Sequence, residues 1–164
     1  MKVIQGLTLC ALALTGVLAS AQTPPAPAAS ATPAGPTPAE RAIEYRQAVY
    51  KIVAGNFQPL AQIAQGKSDF NPDAAARNAQ RVAQIATFVG DAYPDISKEG
   101  KTRALPAIWT NRAEFDSLVK DFVAHTKTLS EVTENSSSAG DEFKAAVAAV
   151  GNDCKSCHDK FRSK

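Results

Sequence analysis

Phe143, Val147, Val150, Cys154, Cys157 and Phe161 recur at intervals of 4, 3, 4, 3 and 4. That spacing holds all six on one face of a single helix and excludes a strand, where inward positions fall at every second residue. It also sets two thiols among the apolar residues of the face that must be buried. Whatever this chain folds into has to close a core around them.

Three earlier segments carry the same period. Thr37-Pro38-Ala39-Glu40 has the form of a capping box with proline at the first helical position. Tyr50, Val53, Phe57, Leu60 and Ala64 follow at 3, 4, 3 and 4. Pro59 predicts a kink there, since it removes one backbone bond, and Gly66 with the polar stretch to Asp69 marks the end. Asn71-Pro72-Asp73 opens a second helix with Ala75, Val82, Ile85 and Val89 on one side, closed by Gly90. Residues 91–105 hold Pro94 and Gly100 and form the longest loop. Asn111 with Glu114 caps a third helix faced by Phe115, Leu118, Phe122, Leu129 and Val132. Asn135 to Ser138 is a polar turn, and Ser138 or Gly140 starts the fourth helix, which runs to about Phe161. No segment alternates as a strand does. The fold class expected over residues 37–164 is all-α, an antiparallel up-down-up-down four-helix bundle; a three-helix fold with a frayed end is the weaker alternative.

Residues 1–21 are a different kind of sequence. Lys2 is the only charge before Glu40, Leu7 to Leu18 is an apolar run, and Ala19-Ser20-Ala21 supplies small residues at a cleavage site. This pattern is a secretory signal peptide cut after Ala21. The run is too short for a membrane span, which needs about 20 residues, and Leu9 stands where a lipoprotein signal before Cys10 wants a small residue. Residues 22–36 are rich in proline and alanine and predict a flexible leader. The formal net charge of the chain is +2, which excludes a strongly basic nucleic-acid binder. Cleavage removes Cys10, Met1 and Lys2. The mature chain keeps Cys154 and Cys157, has no methionine, and carries a net 17 − 16 = +1. No later apolar run predicts stable membrane insertion.

Cys154-Lys155-Ser156-Cys157-His158 is C-x-x-C-H, the sequence that attaches c-type haem. Two thiols one turn apart can each form a thioether to a vinyl group, and the next histidine can reach the iron. The competing readings fit less well. A thioredoxin-like pair wants a helix N-terminus in a β-α-β setting. A zinc site from Cys154, Cys157, His158 and His125 would need an awkward chelate by neighbouring Cys and His. A disulfide across i, i+3 of a helix would be strained. The cofactor expected is one covalently attached haem c per chain.

CKSCHDKFR at the C-terminal end of a four-helix pattern resembles the cytochrome c′ family, the class II c-type cytochromes. Ala42-Ile43-Glu44-Tyr45-Arg46-Gln47, and Pro106-Ala107-Ile108-Trp109 followed by Ala113-Glu114-Phe115, add to the resemblance, which covers about Pro38 to Lys164. It implies that His158 is the proximal iron ligand, that Arg162 lies near the proximal face, and that Arg46 pairs with a haem propionate, with Gln47 beside it as a further candidate. One turn after Arg46, Tyr50 takes the distal position. A methionine there would make a low-spin electron carrier, and the mature chain has none. The resemblance therefore implies a five-coordinate iron that binds nitric oxide and carbon monoxide. This is a binding role without a defined catalytic reaction, in the periplasm, with electron transfer to a periplasmic redox partner as the alternative and a haem-stapled structural bundle as a third class. It also implies homodimers through the first two helices.

Residue patterns add to this. Arg46, Tyr50, Val53 and Phe57 share a stripe, and a buried cation calls for an anionic partner. Phe88, Tyr93 and Trp109 are expected to pack on the haem. His125 fits an inward stripe with Phe122 and Leu129. It is turned outward by the equally regular stripe Phe115, Val119, Phe122, Thr126, Leu129, which the family pattern favours. Lys155, Lys160, Arg162 and Lys164 form a basic cluster, either a solvated helix end or a docking patch for an acidic partner.

Overall fold

The computed structural model describes residues 35–164; the expected signal peptide (1–21) and nearly all of the expected leader (22–36) lie outside them. The described residues form five α-helices: α1 (Pro38–Ala64), α2 (Pro72–Ala86), the short α3 (Ala107–Thr110), α4 (Arg112–Glu134) and α5 (Asp141–Phe161).

The starts of α1 and α2 are written in local chemistry. Thr37 Oγ1 accepts from the Glu40 amide at 3.2 Å, and Glu40 Oε2 accepts from the Thr37 amide at 2.8 Å. These bonds satisfy donors that a helix start leaves unpaired, and they hold the Glu40 carboxyl below its ordinary range. Asn71 Oδ1 accepts from the Ala74 amide at 2.9 Å. Helix α1 continues through Pro59 to Ala64. Three expected boundaries shift. Helix α2 ends at Ala86, short of Gly90. The loop from 91 to 105 contains the single 3-10 turn Asp95–Ser97, and another, Gly90–Ala92, straddles its start. Asn111 precedes α4 but makes no side-chain cap bond, because α3 runs up to it and leaves it outside cap geometry.

Helix α1 packs beside α2 and α5, and α4 beside α2 and α5, closing a ring of four antiparallel long helices. Helix α3 and the two 3-10 turns fill one end. The core is two clusters. One runs along the bundle through Val53, Leu60, Ala79, Leu129, Phe143 and Val150. The other lies under the 92–109 segment: Ala92, Tyr93, Ile108, Phe115 and Phe161. Helix α1 turns Ile43, Arg46, Val49, Val53, Leu60 and Ile63 inward, leaving Tyr50 and Phe57 half-buried on the flank. In α4 the buried line is Phe115, Phe122, Thr126, Leu129 and Thr133. The two threonines can lie there because their hydroxyls donate to the carbonyls of Val123 and Leu129 at 2.9 and 2.6 Å. Among the described residues, no helix is long and apolar enough to cross a membrane.

Gly100 sits at φ +130°, and a Cβ there would stand 2.7 Å from Ile43 Cδ1. Gly100→Ala is expected to lower stability by about 1–3 kcal/mol. Gly55, inside α1 with nothing within 4 Å of such a Cβ, behaves oppositely: Gly55→Ala is expected to add about 0.5–1 kcal/mol. Denaturant unfolding of the two variants checks the signs.

Candidate functional site

A cavity of about 530 Å³ opens between α1, α4, α5 and the 89–104 segment. Its size falls in the range of small-molecule sites, roughly 300–1,000 Å³. Helix α1 contributes Arg46, Gln47, Tyr50, Lys51, Val53 and Phe57; α4 contributes Leu118, Val119 and Phe122; α5 contributes Asp153, Cys154, Cys157, His158 and Phe161. Val89, Tyr93, Arg103, Ala104 and Arg162 complete the wall.

The first half of the α5 stripe packs tightly, with Val150 fully buried, whereas Cys154 and Cys157 are half-buried at the cavity with free thiols. Burial pushes Cys154 up to about 11, with Asp153 and Cys157 adding to it. Burial raises Cys157 as well. These are protonated, weakly nucleophilic thiols, unlike the activated pair of a disulfide oxidoreductase. Among the described residues, no group of three or more His, Cys, Asp or Glu side chains is arranged to hold a metal ion, so the four-ligand zinc alternative lacks its geometry. His158 stands in the last turn of α5. Burial, then Arg162 and Arg103, keep it below the usual imidazole value, which favours the neutral ring that ligates metals.

Tyr50 and Tyr93 meet hydroxyl to hydroxyl at 3.0 Å. Burial drives Tyr50 far above the ordinary phenol value and raises Tyr93 too. Tyr50 is thus a neutral phenol, and the tyrosinate that would bind iron is strongly disfavoured.

Arg46 is 3% exposed. Its guanidinium donates to the Ala92 carbonyl at 3.2 Å, to Ser97 Oγ at 2.8 Å and to Thr102 Oγ1 at 2.9 Å, and lies 4.7 Å from the centre of the Tyr93 ring. Neutral acceptors and an aromatic face therefore satisfy it. The argument that its burial requires an anion loses its force, although Arg46 does line the cavity. Gln47 donates to the Lys101 carbonyl at 3.1 Å. Both residues thereby tie α1 to the loop that carries Tyr93.

Two expected haem-packing aromatics are elsewhere. Phe88 is 48% exposed and lies with Ile52, Arg81 and Ile85 on the outer surface of α1 and α2; the early end of α2 turns it away from the cavity. Trp109 stands behind the wall rather than in it. It packs edge-on against Tyr93 and donates its indole N–H to the Tyr93 carbonyl at 3.2 Å. His125 faces outward, its Nδ1 2.8 Å from Asp153 Oδ2, while Thr126 takes the buried position. The basic cluster is partly neutralised: Lys155 pairs with Asp159 at 2.6 Å, and Lys160 with Glu114.

The sequence reading missed Lys51, Arg103 and Asp153. Asp153 adjoins Cys154 and could have been flagged. Arg103 lies in an aperiodic loop and gives no local signal. The assembled wall suits haem in three respects. It has apolar surface from three helices for a flat macrocycle. It has two thiols and an imidazole on one helix. It sets four cations, Arg46, Lys51, Arg103 and Arg162, against the single carboxylate of Asp153, where two propionates need accommodation.

A four-helix bundle whose last helix presents C-x-x-C-H to such a cavity defines a class of c-type cytochrome. Residues 41–162 match the sequence pattern of the family described as Cytochrome C′. The cytochrome c′ of Rubrivivax gelatinosus is 36% identical over 124 residues, covering 75% of this chain and 95% of that protein. The structure of the Shewanella frigidimarina cytochrome c′ superposes with a TM-score of 0.73 at 31% identity, covering 77% and 97% of the two chains. A nitric oxide complex of a cytochrome c′ variant from Alcaligenes xylosoxidans gives a TM-score of 0.70 at 25% identity, covering 77% and 97%. The chain belongs to the cytochrome c′ family, whose cofactor is covalently attached haem c.

The Arg46 network predicts a stability effect. Arg46→Leu removes a charged donor from three buried or half-buried acceptors and is expected to cost about 2–3 kcal/mol, read from the shift in denaturant midpoint.

Proposed function

We propose that this chain is an exported monohaem cytochrome c′ in which His158 is the one protein ligand to iron, and that it binds nitric oxide and carbon monoxide. The carrying observation is the make-up of the cavity wall. Among the described residues, His158 is its only imidazole, it holds no thioether, and its phenol at Tyr50 is kept neutral and hydrogen-bonded to Tyr93. His125 points away, bonded to Asp153. Structures of variants of the Alcaligenes xylosoxidans cytochrome c′ include complexes with nitric oxide and with carbon monoxide, which supports the same ligand class here.

Haem supplies an iron able to take a diatomic ligand. The chain supplies everything that positions it. Cys154 and Cys157 are the residues that would hold it through two thioethers, and His158 would offer a neutral ring nitrogen. Val53, Phe57, Leu118 and Phe122 exclude water from the macrocycle. Lys51 and Arg162 would offer donors to propionates, while Arg46, Gln47 and Arg103, engaged by Ala92, Ser97, Thr102, Lys101 and Ser163, hold the surrounding wall in place and the two arginines add positive field. Tyr50 acts as a steric gate over the ligand side: bulk admits a ligand only if the ring yields.

Periplasmic export follows from residues 1–21, with 22–36 as a tether and 37–164 as the haem domain; N-terminal sequencing of the secreted protein beginning at Gln22 tests it. Electron transfer to a redox partner is the second reading, supported by the cations on the cavity wall. The exposed Ile52 and Phe88, flanked by Ile85, give α1 and α2 an apolar outer patch suited to a homodimer, which sedimentation tests.

Intact mass is expected to show one haem retained after acid-acetone extraction. Cys154→Ala and Cys157→Ala should each weaken attachment, and the double variant should abolish it. Free thiols at the apo mass would overturn the assignment. The ferric spectrum is expected to be high-spin; a low-spin spectrum would mark a second strong ligand and favour the electron carrier. Tyr50→Ala should raise carbon monoxide affinity about 5- to 150-fold, the equivalent of the ~1–3 kcal/mol of overpacking relieved. Tyr50→Phe keeps the bulk and should stay near wild type. Equal affinities in Tyr50→Ala and wild type would move the gate to another side chain.

A further inference from the structure

His158 lies three residues before the last residue of α5, Phe161, in the turn that frays first in any helix. Its carbonyl accepts from the amide of Arg162, the residue just past the helix, at a long 3.3 Å. A ligand that must keep a fixed direction toward a metal is poorly served by such a position unless something outside the helix secures it.

The structure supplies a clasp. After Phe161 the backbone turns extended, with Arg162 at φ −126° and ψ 132°, and pairs antiparallel with the loop through the Ala104–Arg162 bridge. The Leu105 amide donates to the Phe161 carbonyl at 3.0 Å, and the Ser163 amide donates to the Arg103 carbonyl at 2.8 Å. Arg103 then closes it from the side: its Nε and Nη2 both donate to the Ser163 carbonyl, at 3.1 and 2.7 Å. The guanidinium is thus spent on a main-chain oxygen. Phe161, 3% exposed and edge-on to Phe115 at 5.5 Å, anchors the same turn from the core side. Arg162, held between these contacts, is directed to the cavity wall.

We propose that Arg103 is a positioning residue for His158. Through its two-pronged hold on the Ser163 carbonyl it fixes the last turn of α5, and with it the direction of the imidazole. This rests on His158 being the iron ligand. The bond is charge-assisted and bidentate, which gives direction as well as strength. A lysine could supply the charge without the fork.

The test uses the holoprotein and two readouts. Amide hydrogen exchange at Arg162, Ser163 and Leu105 reports the clasp. The iron–imidazole vibration of the ferrous protein, by resonance Raman, reports the ligand. Arg103→Ala is expected to speed exchange at these amides about tenfold, the factor equivalent to about 1.4 kcal/mol, and to shift or broaden the iron–imidazole band. Arg103→Lys should fall between. Ser163→Pro breaks the clasp from the other strand by removing the Ser163 amide, and the extended Arg162 before it is compatible with proline; with exchange read at Arg162 and Leu105, it should reproduce both effects. Arg77→Ala, an exposed arginine on α2, should change neither. Faster exchange with an unmoved band would reduce the clasp to a structural tie and overturn the proposal, as would no change in exchange. Absence of the band from the wild-type ferrous protein would instead fail the ligand assignment, and the exchange rates would still show whether the clasp exists.

Discussion

The architecture turns on a helix that cannot bury its own stripe against protein alone. From Phe143 to Val150, α5 packs into the bundle core. From Cys154 onward, the same face meets a cavity. Burying apolar surface is the main drive for a bundle of this size, so its helices converge wherever side chains can interlock. Along α5 they do so up to Val150 and then give way to a site built for a large flat group joined through two sulfurs.

Three helices wall that end and the fourth side is irregular chain, which makes the loop from 89 to 105 decisive. It carries Tyr93, whose ring touches Trp109 and Phe115 and whose hydroxyl meets Tyr50. A loop is an uncertain place to hang a pocket wall. Here α1 fixes it from beneath, because the Arg46 guanidinium draws Ala92, Ser97 and Thr102 onto one point. A buried charge is costly unless fully hydrogen-bonded, and no buried side-chain polar atom among the described residues lacks a partner. The arginine thus rigidifies the loop on one side of the cavity, while Arg103 ties the end of α5 on another.

Electrostatics and burial then divide the labour among the polar groups. Desolvation disfavours the ionised forms of both thiols and of Tyr50, and desolvation first, then the neighbouring Arg162 and Arg103, lowers His158 toward the neutral ring. Apart from Asp153, which His125 engages from outside, the formal charge on the cavity wall is positive. A neutral imidazole inside a cationic rim suits a group with an electrophilic centre and anionic margins.

The sequence by itself determined the four long helices, the starts set by Thr37 and Asn71, the C-x-x-C-H motif of Cys154, Cys157 and His158 on which the haem expectation rests, and the bundle class. All of these rest on interactions within a few residues or on a 3.6-residue period. The resemblance located Arg46, Tyr50 and Arg162 at the site. Only the tertiary structure decided what those residues touch. Two equally regular stripes competed in α4, and burial of Thr126 resolved them by turning His125 out. Phe88 and Trp109 share the aromatic character of Tyr93, but the early end of α2 and the insertion of α3 place one on the surface and the other behind the wall. The neutral partners of Arg46 lie 46 to 56 residues away in a loop with no periodicity, and those of Arg103 lie 60 residues away across the bundle end. Side-chain period encodes which face of an element is buried. It carries no record of which distant backbone carbonyl a guanidinium will find, because that depends on how the elements dock.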